Sequence, residues 1–127
     1  MFSITSHKPG WENGMNQARG ANETLKAVWA DKRFADASLP EELSLFNTGD
    51  SDVLISTIKK AEDSNDIVVR LVNMAAEDKK VSLKSFMPIK NAKLTNLIEE
   101  DVKPIPTTKN SVQLDLGHHA IETIKLK

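Results

Sequence analysis

Two acidic runs carry the side chains best suited to chemistry. "EDSND", residues 62–66, and "IEED", residues 98–101, bring Glu62, Asp63, Asp66, Glu99, Glu100 and Asp101 into two short stretches. A glycosidase needs two carboxyl groups roughly 5–10 Å apart across a sugar, one of them with a raised pKa. Raising a carboxyl pKa takes burial or a suitable charged neighbour. Both runs lie between hydrophobic segments and read as solvated turns, so the pattern favours ordinary turn carboxylates over a catalytic pair.

The other candidates are thinner. His118 and His119 are adjacent, so on a strand they point to opposite faces, and His7 is far away in sequence. With no cysteine in the chain, a closed zinc site would lack its commonest partners, and turn or edge histidines are the plainer reading. No G-x-S-x-G elbow and no glycine-rich phosphate loop is present. Two Trp, four Phe and no Tyr make a poor sugar-stacking platform, and Trp11 and Trp29 suit packing at least as well. Arg70 stands out structurally, lying mid-segment in "DIVVRLVN" with Val68 and Val72 on its own face. Under a covered face its guanidinium needs a partner, for which Glu62 and Glu122 are candidates. On an open face its stem covers the sheet while the head reaches water. No catalytic, cofactor-binding or metal-ligating residue is assigned.

These side chains hang on short alternating segments. "LSLFNT", "DVLISTIKKA", "DIVVRLVN", "KKVSLKSF", "NAKLTNLI", "SVQLDLG" and "HAIETIKLK" each alternate apolar with polar residues. In the second, Leu54, Ser56 and Ile58 oppose Val53, Ile55 and Thr57. Period-2 alternation over many short runs separated by polar turns predicts a mainly β chain, an antiparallel β-sandwich. "EEDVKPIPTTKN" reads as a longer connection stiffened by Pro104 and Pro106. Ahead of residue 43 the pattern differs. Residues 2–6 alternate like a short strand, a short helix is expected near 11–22, and 31–42 reads as a loop punctuated by Pro40.

Composition bounds the rest. A chain of 127 residues suits one domain, here divided into a packing segment, 1–42, and sandwich strands, 43–127. A formal net charge of −1 gives no electrostatic case for nucleic acid or an anionic membrane. No apolar run approaches the roughly 20 residues of a membrane span, and "MFSITSHKPGW" lacks the pattern of a signal peptide.

The run Val53–Asn73 resembles the C-terminal β-domain of glycoside hydrolase family 38, the α-mannosidases. That family commonly shows a strand ending "S-x-x-K-K-A-E-D", then a turn, then "I-V-x-R-L-x-N". The matching residues are Ser56, Lys59, Lys60, Ala61, Glu62 and Asp63, then Ile67, Val68, Arg70, Leu71 and Asn73. "SITSHKPGW", with His7, Gly10 and Trp11, is similar to an earlier family strand. "LTNLIEED" and the closing "HAIETIKLK" are similar to later ones. The chain departs from the family in carrying Ala120 where Glu is frequent, and in lacking a Pro after Asn22.

The resemblance implies a non-catalytic structural domain of a retaining α-mannosidase. Zinc and the nucleophile would reside in the parent's catalytic domain, with no cofactor in this chain. It implies the remaining domains of the parent glycosidase as partners, met through a face of segment 1–42 bearing Trp11, Trp29 and Phe34. It leaves open a sugar contact at the cleft edge. A free-standing carbohydrate-binding module and an Ig-like interaction domain are the alternatives.

Overall fold

The structure is a computed structural model that describes residues 4–29 and 37–127. The chain divides into two compact units, Met1–Leu39 and Pro40–Lys127. In the first, a 3-10 turn over Trp11–Gly14 runs into helix α1, Met15–Asn22. This is the helix expected near 11–22. Its composition is weak for a helix, with Asn16, Gly20 and Asn22 in eight residues. An i,i+4 ion pair, Arg19 to Glu23 at 3.2 Å, supports its last turn. No α1 residue is buried. Trp11 is half exposed and Trp29 is 92% exposed, while Phe34 lies outside the described residues. The strand expected over 2–6 begins outside them too, and Ile4–Ser6 form none. No described helix is long and apolar enough to cross a membrane.

The second unit is a sandwich of two antiparallel sheets. Its strands are β1 (Phe46–Asn47), β2 (Val53–Lys60), β3 (Ile67–Asn73), β4 (Lys79–Ser85), β5 (Ala92–Thr95), β6 (Asp101–Ile105), β7 (Ser111–Leu116) and β8 (Ile121–Leu126). One sheet has the order β1-β4-β7, the other β2-β3-β8-β5-β6. Val81, Leu83, Val112, Leu114 and Leu116 face Val69, Leu71, Ala92, Ile124 and Leu126 across a core of aliphatic side chains. Alternation dictates this choice in β4 and β7, and in β3, β5 and β8 the residues expected inward join the core while Val68, Thr95, Thr123 and Lys125, expected outward, are buried as well.

Three elements depart from the alternation reading. In β2 the pairing runs Ile55 to Leu71, then Thr57 to Arg70, leaving Ser56 as the extra residue of a bulge. Beyond it the parity reverses, so Ile58, opposite Val69, joins Val53 and Ile55 on the inward side, and Thr57 joins Leu54 outward. The stretch read as a proline-stiffened connection contains β6, with Pro104 inside it, paired to Lys93. β6 is an edge strand, where a missing N–H costs no ladder bond on the open side. The first sandwich strand shrinks to two residues, with Leu43 and Leu45 exposed before it.

Candidate functional site

The outward face of the five-stranded sheet is where the chemically promising residues meet. Register places Lys59 opposite Val68, Val68 opposite Lys125, and Lys125 opposite Lys93, in one row across β2, β3, β8 and β5. Three lysines in one cross-strand row repel unless anions intervene. The anions come from the two acidic runs. The β5–β6 loop, residues 96–100, arches back over the sheet, and the β2–β3 turn rises beside it.

Glu99 is the pivot. Its carboxylate accepts from Lys59 Nζ at 2.7 Å on one oxygen and from the backbone N–H of Glu62 at 3.0 Å on the other. It is 8% exposed, and its backbone sits at φ 69°, a left-handed conformation uncommon outside glycine. Asn96 holds the loop in that shape, since its side-chain oxygen accepts the N–H groups of Ile98 and Glu100 at 3.1 and 2.9 Å. The Lys59 ammonium and then the Glu62 N–H hold the Glu99 carboxyl below the usual range. Lys59 is raised in turn, first by Glu62 and then by Glu99.

Lys125 is the second node. Its side chain is 7% exposed and its Nζ lies 3.2 Å from Asp63 and 3.4 Å from Asp101. Burial alone lowers an ammonium pKa, but the two carboxylates outweigh it and the net direction is up. Asp101 also takes Lys93, whose ammonium is the main cause holding its carboxyl low. Beneath this network Val68, Thr95 and Thr123 are buried. The two acidic runs, read separately as solvated turns, are therefore the two halves of one clamp. The carboxyls of Glu99 and Asp101 move down, opposite to what a glycosidase general acid requires.

The ion-pair candidates resolve differently from expectation. Arg70 Nε donates to Thr123 Oγ1 at 3.1 Å and Nη2 to the Leu97 carbonyl at 3.2 Å. Among the described residues it has no carboxylate partner. Glu62 pairs with Lys59 instead. Glu122 cannot reach Arg70 because it sits opposite Leu71, an inward residue, one position off from Thr123. The outward face is covered, as one reading of Arg70 required, but a hydroxyl and a carbonyl satisfy the guanidinium.

Two further clusters brace the rest of the sandwich. Buried Asn73 donates to the carbonyls of Glu77 and Gly117, both at 2.9 Å, and accepts the Ala75 N–H at 3.0 Å. This ties the β3–β4 turn to the β7–β8 turn. Lys79 Nζ is surrounded by Asp52 and Glu77 at 3.1 Å and Asp50 at 3.7 Å. His118 and His119 sit in the β7–β8 turn, not in a strand. His118 donates its backbone N–H to Asp78 at 2.8 Å and brings its ring Nδ1 within 3.3 Å of the same oxygen. Among the described residues, no group of three or more His, Cys, Asp or Glu side chains is placed to hold a metal.

The sequence signal for the clamp was parity. Thr123 and Lys125 share the outward side of β8 with Arg70 of β3 opposite, and a buried lysine calls for nearby carboxylates. The long-range reach of the 96–100 loop had no local signal.

No curated protein matches the chain. A family model does match, that of the glycosyl hydrolases family 38 C-terminal beta sandwich domain, over residues 52–124. The matched span runs from the start of β2 into β8, takes in the whole clamp except Lys125, and leaves out "SITSHKPGW". With more than half of its residues matched, the chain belongs to the glycosyl hydrolases family 38 C-terminal beta sandwich domain family.

Proposed function

We propose that this chain is the non-catalytic, structural C-terminal domain of a zinc-dependent retaining α-mannosidase, packed against the remaining domains of its parent glycosidase. The family match over residues 52–124 carries this reading. The clamp supports it, because its charged groups are paired and the carboxyls of Glu99 and Asp101 are held low, a state suited to fixing loops. The described residues offer no donor set that fits zinc. The exposed Trp11 and Trp29 supply apolar surface for contact with other domains.

The alternative of an autonomous carbohydrate-binding module is weaker. Residues 40–127 contain Phe46 and Phe86 as their only aromatics, too few for a stacking row. An Ig-like interaction domain without ties to sugar hydrolysis fits the family match less well.

The test is an assay of the purified 127-residue chain with an aryl α-mannoside and added zinc. Release of mannose no faster than the blank is expected, and turnover that survives repurification overturns the non-catalytic reading. A longer protein containing this sequence should hydrolyse the same substrate.

A further inference from the structure

The sequence holds a single Asn-Gly pair, Asn13–Gly14. Asparagine is a labile residue, because the backbone nitrogen of the next residue can attack its side-chain carbonyl. A Cβ on that next residue crowds the attack, and glycine has none. The pair lies in the 3-10 turn Trp11–Gly14 that leads into α1, and Asn13 is exposed.

A base stands beside it. The His7 ring packs on Gly14 so closely that a Cβ there would lie 2.7 Å from Nε2 and 2.8 Å from Cδ2. The other ring nitrogen, Nδ1, is 2.7 Å from the Lys8 carbonyl oxygen. A carbonyl only accepts, so Nδ1 carries the proton in that bond. In the neutral ring Nε2 then keeps the free lone pair, and Nε2 is the atom nearest the Gly14 backbone. Little holds the turn against reaction. No residue of the turn or of α1 is buried, so opening it gives up only local, solvent-exposed bonds. The Asn13 amide is tied by one of these, Nδ2 to the Pro9 carbonyl at 2.8 Å.

We propose that Asn13–Gly14 is a self-modification site, where Asn13 cyclises to a succinimide with His7 as general base and then opens to aspartate or isoaspartate. His7 Nε2 takes the Gly14 N–H proton as that nitrogen bonds to Asn13 Cγ. The Cγ–Nδ2 bond breaks, and ammonia leaves with the proton that His7 returns. Water then adds to one of the two ring carbonyls. Addition at Cγ gives an aspartate, whose charge at the N-terminal end of α1 suits the helix dipole. Addition at the backbone carbonyl gives isoaspartate, which reroutes the main chain through the side chain at the entry to α1. Either product puts a carboxylate two residues from the half-exposed Trp11. The proposal needs no assumption about a parent glycosidase.

The experiment is incubation of the full 127-residue chain at neutral pH, with peptide mass spectrometry for amide-to-acid conversion and isoaspartyl methyltransferase labelling for isoaspartate. Conversion at Asn13 should run at least about tenfold faster than at Asn110, which precedes Ser111 and so meets a Cβ. His7→Gln should slow Asn13 at least about tenfold, below the 10²–10⁴ that general bases contribute in closed sites, and leave Asn110 unchanged. Added imidazole should restore much of the lost rate in that variant and barely alter the original chain. Asn13 converting no faster than Asn110 would overturn the site. An undiminished rate in His7→Gln, or a slowed rate that imidazole fails to restore, would overturn His7 as its base.

Discussion

The two faces of the five-stranded sheet are both covered, by opposite means. Inward, Val69, Leu71, Ile124 and Leu126 meet the other sheet through aliphatic contact. Outward, Val68, Thr123 and Lys125 are as well hidden, but under a loop held down by charged hydrogen bonds. Aliphatic packing is non-directional and scales with buried area. The clamp depends on direction, on protonation and on a few atoms. The inward face should therefore govern global stability, and the outward face should govern where one loop sits.

The comparison breaks first at Leu71, which is fully buried. Leu71→Ala should cost about 2–5 kcal/mol, the range for deleting a buried leucine side chain. A urea titration followed by circular dichroism measures it. A cost under 1 kcal/mol, on the order of a surface substitution, would mean the inward core is not the main support.

A smaller effect should come from the outward face, and it should depend on pH. A carboxylate held below its ordinary value in the folded state adds stability above that value and loses it as pH falls through the lowered one. Glu99 and Asp101 are both lowered, from 4.5 and 3.8. The urea midpoint should be level near neutrality and fall in acid below those ordinary values. Glu99→Gln should lower the midpoint at neutral pH by less than Leu71→Ala does, and should flatten the acid fall. Lys59 and Lys125, raised from 10.5, give the mirror case, in which stability is present below that value and lost as pH rises through the raised one. An acid profile that Glu99→Gln leaves unaltered would remove Glu99 from the clamp.

The unequal legibility of the two faces follows from the same physics. Inward positions announce themselves through local alternation, and the paired strands β3, β4, β5, β7 and β8 could be read almost residue by residue. The reading failed where one backbone feature overrode the period. The Ser56 bulge reversed the parity of β2, and Pro104, read as stiffening a connection, proved to lie within an edge strand. The clamp was half visible. Its acidic runs drew attention, but a carboxylate in a turn looks alike whether it meets water or a backbone N–H 37 residues away, as the bond from Glu62 N–H to Glu99 shows. The choice of Glu122 as a partner for Arg70 was an error of parity that the strand pattern already held, since Thr123, not Glu122, shares the face of Arg70.

Arg70 provides the finest test of the difference between the faces. Its guanidinium serves two acceptors at once, Thr123 Oγ1 through Nε and the Leu97 carbonyl through Nη2. Lysine keeps the charge but concentrates its donors on one nitrogen at the end of a flexible stem, so it cannot reproduce that fork. Arg70→Lys should thus cost only about 0.5–1.5 kcal/mol globally, the net worth of a typical hydrogen bond. Its local effect should be larger. With the Leu97 anchor lost, amide exchange should quicken at Ile98, Glu99 and Glu100, whose N–H groups are bonded within the loop to Asn96. Exchange in Val69, Leu71 and Ile124 should follow only the small global change. If those core amides quicken as much as the loop does, the clamp and the core form one cooperative unit, and the outward face is as much a part of the fold's foundation as the inward one.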